Sequence, residues 1–153
     1  MRDKIKEEVL QAQDRYITNL ISWASSFPDQ DKRAIEEAIY IYAHMIISSG
    51  INKKEYLFRR LEIIKVSVKD GFGMCQPLID GRGGIKAYRI YISDNYNFTM
   101  KQLQAVFLHE MCHTMSKVDI LKHKSYLYHQ CFLWLLRYYD INILNIGEVE
   151  RID

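Results

Sequence analysis

A chain of 153 residues, 48% hydrophobic and 26% charged, is long enough to bury a core as one domain without disulfide or metal staples. It carries no low-complexity tract, internal repeat or run of like charges, which excludes disordered and repeat architectures, and no stretch reaches the roughly 18 apolar residues of a membrane span. A net charge of +2 is too weak by itself to mark a nucleic-acid protein.

In chain order, the start MRDKIKEEVLQAQDRY is charged from its second residue and lacks an apolar signal core, so a cytoplasmic, intracellular protein without membrane contact is expected. Residues 4–25 place Ile5, Val9, Tyr16, Leu20 and Ala24 at helical intervals. SFPDQD breaks that pattern, and a second helix is expected from about Asp31, where Ile35, Ala38, Ile39, Tyr42, Ile46 and Ile47 recur until Ser48, Ser49 and Gly50. His44 lies among these apolar neighbours and reads as a packed histidine with a hydrogen bond. Residues 1–50 thus form a helical N-terminal part of a single domain spanning 1–153.

From Leu61 the period changes to two, with Ile64, Val66 and Val68 alternating with Lys65, Ser67 and Lys69 as in a half-buried strand. Gly71 and Gly73 end it. DGRGG then precedes KAYRIYIS, a second alternating run, and MCQPLI adds a third, so the expectation is a small antiparallel sheet of about three strands in an α+β fold. Residues 51–90 hold nine Lys/Arg against four Asp/Glu, a patch that could give weak contact with nucleic acid or remain a solvated rim. Thr99 and Gln102 form a T-x-x-Q capping box that opens the next helix, and a last helix runs from about Lys124 to Tyr139.

The helix after Thr99 runs into LHEMCH (residues 108–113). Two histidines four apart sit about 40° apart around a helix and roughly 6 Å along it, so the ring nitrogens of His109 and His113 can converge on one ion. Glu110 projects about 100° from His109, beside that ion, where a base must stand to take a proton from water. By chance H-E-x-x-H arises in well under ~1% of chains this long. A catalytic zinc needs a third ligand, and several residues compete for the place. No glutamate lies between Met111 and Gly147, and Glu148 is near the terminus. Asp119 follows the second histidine by six residues, but Ser116 stands where a glycine would let the chain double back. Cys75 would suit a deformylase-like site and reads better as a buried thiol. His123 and His129, six apart, cannot serve one ion from one straight helix. His129 is favoured because Tyr126, Gln130, Arg137 and Asp140 give its helix a polar sector. The cysteines, Cys75, Cys112 and Cys131, are odd in number and irregular in spacing, which argues against a disulfide framework and a Cys-only zinc site.

The succession GMCQ, DGRGG, RIYIS, QAVFLHEMCH and, after fifteen residues, HQCFLW resembles the core of the SprT-like (Spartan) and WLM metallopeptidases over residues 61–139. The resemblance implies a zincin-like minimal metallopeptidase with one catalytic Zn2+ on His109, His113 and His129, the last on the C-terminal helix, and Glu110 as general base. It implies hydrolysis of protein or peptide substrates, including DNA-associated protein. RIYIS is expected as an edge strand able to pair with such a substrate, with Tyr126, Tyr128 or an unligated His123 as oxyanion donors. The rival readings are a deformylase-like hydrolase using Cys75 and a non-catalytic protein with a closed, four-ligand structural zinc.

Overall fold

A computed structural model of the chain describes residues 2–12, 29–49, 60–114 and 126–152. Among them are four helices, α1 (Arg2–Gln11), α2 (Asp29–Ser49), α3 (Met100–His113) and α4 (Tyr126–Tyr139), and five strands, β1 (Arg60–Val66), β2 (Gly73–Ile79), β3 (Ile85–Ser93), β4 (Tyr96–Asn97) and β5 (Glu150–Arg151). The fold is α+β, and no helix among the described residues is long and apolar enough to cross a membrane.

The periodicity of the N-terminal part is realised where it is described. Ile5 and Val9, one turn apart on α1, are buried, and α2 buries Ile35, Ile39, Tyr42 and Ile46 completely or nearly so. Each such side chain contributes roughly 1.5–3 kcal/mol relative to exposure. The expected continuation of the first helix from residue 13 to 25 lies outside the described residues. His44 bridges three helices: its Nε2 meets the Glu8 carboxylate and its Nδ1 the Tyr139 hydroxyl, at 2.7 Å in the second case, so both ring nitrogens are satisfied.

The sheet differs from the expectation in two ways. Its order is β1-β3-β2, with β2 antiparallel but β1 parallel to β3, so it is mixed. RIYIS is therefore the central strand, with both edges already paired, and cannot accept a substrate strand. The physical reason is the fully buried inner face of β3, where Ile90 and Ile92 are wholly covered. Such a strand is flanked on both sides, and alternation along it reports the two faces without reporting the neighbours. The true edges are β1 and β2. Pro77, which has no N–H to give, sits on the edge strand β2.

α3 runs through the middle of the molecule and is buried almost all round, with Phe107, Leu108 and Cys112 inaccessible. Its N-terminus has the expected capping box: Gln102 N–H donates to Thr99 Oγ1 at 3.2 Å, and Thr99 N–H donates to Gln102 Oε1 at 3.0 Å. Its C-terminus ends on Thr114, whose hydroxyl donates to Met111 O at 2.6 Å and contacts the Tyr42 hydroxyl at 3.1 Å. α4 packs on α3, buries Cys131, Leu135 and Tyr139, and leaves Leu136 and Tyr138 exposed.

Cys112 and Cys131 form a disulfide, with Cα atoms 6.1 Å apart, that joins α3 to α4, and Cys75 alone remains a free thiol. This corrects the expectation drawn from the odd cysteine count. Parity excludes only a complete pairing of all three, and two helix positions brought face to face by packing need no motif spacing in the chain.

After α4 the chain turns at Asp140, which adopts a left-handed φ of 56° tolerated by short polar side chains, and Ile141 N–H donates back to Leu135 O at 3.1 Å. Residues 141–148 then recross α3, burying Ile141 and Ile143, before β5 pairs with β4.

Candidate metal centre

His109, Glu110 and His113 each present a possible ligand atom within 4.8 Å of the others, and this group could hold a metal ion. The His109 and His113 rings meet edge to face with centroids 5.1 Å apart, as expected of positions one turn apart on a helix. His113 and Glu110 are buried, whereas His109 is about one fifth exposed, so the group opens to solvent through His109.

The tautomer of His109 follows from its partner. Nδ1 lies 3.1 Å from the carbonyl oxygen of Ile143, and a carbonyl can only accept, so Nδ1 carries the proton. The ring lone pair is then on Nε2, 3.9 Å from Glu110 Oε1. A histidine whose second nitrogen is held by a backbone carbonyl is the usual arrangement of a metal-ligating imidazole. The residues therefore fit a divalent cation of the kind that prefers imidazole ligands.

Glu110 is held against β2. An added Cβ on Gly73 would lie 2.8 Å from Tyr91 O, 3.2 Å from Val106 Cγ1 and 3.3 Å from Glu110 Cγ, so glycine is what lets the strand approach the motif helix this closely. Burial raises the Glu110 carboxyl from its ordinary value of 4.5 to about 8 in the protein without metal. Cys75, also buried here, has its thiol pushed far up, first by burial and then by the Glu110 charge.

These groups floor a cleft of about 520 Å³. One wall is residues 70–75, which include the start of β2; the other is residues 143–147. The second wall is tied to α3 twice: by the His109–Ile143 bond, and by Gln102 Nε2, which donates to Glu148 O at 2.8 Å and Ile146 O at 3.3 Å. Gln102 thus closes the capping box with its oxygen and tethers the C-terminal segment with its nitrogen.

Of the residues singled out in the sequence, the structure brings together His109, Glu110 and His113. His129 is exposed on α4, edge to face with Phe132 at 6.4 Å, and neither lines the cleft nor joins the convergent group. Asp119 and His123 lie outside the described residues, as do the side chains of Tyr126 and Tyr128. Cys75 lines the cleft without joining the group, and Glu148 contributes a carbonyl to Gln102. In the basic segment, Lys65 pairs with Asp31 and Arg89 with Glu62, each at 2.9 Å. Sequence reasoning missed the Ile143 carbonyl, the close approach at Gly73 and the whole 143–147 wall. The one signal for that wall was the turn chemistry of Asn142, Asn145 and Gly147. No protein-family model, no curated protein and no solved structure matches this chain.

Proposed function

We propose that the protein is a zinc-dependent peptidase of zincin-like, SprT/WLM-like type, with His109 and His113 as ligands and Glu110 as general base. The observation that carries this reading is the convergence of the three donor atoms within 4.8 Å at the floor of a cleft walled in part by the start of β2. Zinc, when bound, supplies a Lewis acid that polarises a carbonyl and acidifies water beside it. His109 is held in the ligating tautomer by Ile143 O, and Gly73 leaves room for Glu110 beside the histidines. Glu110 takes a proton from the attacking water and returns it to the leaving amine. Among the described residues β2 pairs only with β3, so its outer edge at Gly73–Gln76 can bind an extended peptide by strand addition, and Pro77 ends that track.

The reading is tested by measuring zinc and cleavage of an unfolded protein substrate, with and without DNA, for the parent and for Glu110→Gln. The expected result is retained zinc with activity lowered by about 10³-fold or more, because removing the base leaves ligation intact. Activity unchanged in Glu110→Gln would sink it. The third ligand is the one of Asp119, His123 and His129 whose replacement by alanine empties the site.

A further inference from the structure

We propose that Asn145 donates the hydrogen bond that holds the reacting carbonyl oxygen of a bound peptide, an assignment that rests on the peptidase reading above. A peptidase must stabilise the negative charge that grows on that oxygen, and a donor held in place beforehand does so without reorganising at the moment of reaction. The side chains available in the cleft are few. His109, His113 and Glu110 have the tasks already described; Asp70, once ionised, can only accept; and a buried thiol such as Cys75 is a weak donor. Asn145 is the one carboxamide among the described lining residues.

Its orientation is set by chemistry. Gly147 N–H donates to Asn145 Oδ1 at 3.1 Å, and since an N–H cannot accept, the oxygen end of the amide is the end that faces Gly147. Among the described residues nothing accepts from Nδ2, so both its hydrogens are left for a ligand. The Asn145 backbone is also fixed: its N–H and that of Leu144 donate to Asn142 Oδ1 at 3.1 and 3.0 Å. On one side, Ile143 O accepts from the motif histidine itself; on the other, Ile146 O and Glu148 O accept from Gln102. Gly147, at φ 81°, makes the turn that a side-chain-bearing residue would strain. The backbone that carries the exposed Asn145 side chain is therefore pinned, on both sides, to the same helix that carries the metal-binding group, and the Gly147 N–H orients its amide. That is the preorganisation an oxyanion donor requires.

The test uses the full chain loaded with zinc and two probes: a phosphinic peptide, which mimics the tetrahedral anion, and the uncleaved amide peptide bound to the Glu110→Gln background. Asn145→Ala removes the donor, and Asn145→Asp removes it while keeping an acceptor for Gly147. Zinc content and unfolding temperature are followed for both. The expected result is phosphinic-peptide affinity about 10²-fold lower in both variants, amide-peptide affinity changed severalfold at most, and kcat lowered about 10²-fold with KM nearly unchanged. Phosphinic affinity within about twofold of the parent in a folded, zinc-loaded Asn145→Asp overturns the assignment, even if the parent is an active peptidase. Asn145-dependent phosphinic binding in a parent that cleaves no peptide keeps the donor and removes the peptidase reading. A zinc-loaded parent with no affinity for the phosphinic peptide overturns both.

Discussion

The two parts of the cleft were written in the chain in opposite ways. The α3 floor is local: Thr99 and Gln102 are three residues apart, His109 and His113 four, and helix geometry alone brings each pair together. The wall at residues 143–147 is remote: Ile143 reaches His109 across 34 positions and Glu148 reaches Gln102 across 46. Yet the remote wall sets the tautomer of a motif histidine and fixes the only lining carboxamide described. A metal-site motif names its donors, while the groups that orient those donors come from wherever packing delivers them.

Removing the Glu110 charge gives the largest expected effect on this contrast. Without metal, the folded protein keeps the Glu110 proton up to about pH 8, whereas an unfolded chain releases it near 4.5. Folding stability of the metal-free protein therefore falls as pH rises from about 4.5 to about 8, by on the order of a few kcal/mol. Glu110→Gln abolishes that decline and is more stable than the parent above pH 8. Urea unfolding in the presence of a chelator, from pH 4 to 9, measures both, and parallel profiles for the two proteins would mean that the carboxylate is not held away from water.

Next in size is Gly73→Ala, whose Cβ meets backbone oxygen at 2.8 Å and Glu110 Cγ at 3.3 Å. Overpacking of this kind costs about 1–3 kcal/mol. The same change at Gly81, where a Cβ meets nothing within 4 Å, is expected to stay within about 0.5 kcal/mol. Equal unfolding temperatures for the two variants would contradict the close approach of β2 to α3.

Smallest is Gln102→Leu, which removes the capping-box acceptor and the tether together. We expect a loss of about 1–2 kcal/mol by thermal unfolding, accompanied by weaker zinc affinity, because the wall that holds His109 is loosened. Full retention of zinc affinity would show that the remote wall does not orient the motif.

How far the chain could be read before its structure follows the same division. The second helix, the capping box, the α+β class and the convergence of His109, Glu110 and His113 all depend on spacings of a few residues, and they were legible. The parallel pairing of β1 with β3, the central place of RIYIS and the Cys112–Cys131 bond were not, because alternation and cysteine parity carry no information about which distant segment lies alongside. The polar sector around His129 was legible as a pattern, but exposure to bulk solvent and exposure to a cleft produce the same pattern in sequence.

The most direct test is the zinc content of the purified protein by metal mass spectrometry, for the parent, His109→Ala and His113→Ala. One zinc per chain in the parent, lost in both variants, is the predicted result. A parent without zinc after equilibration with it, or zinc retained in either variant, would contradict the metal centre and with it the peptidase reading.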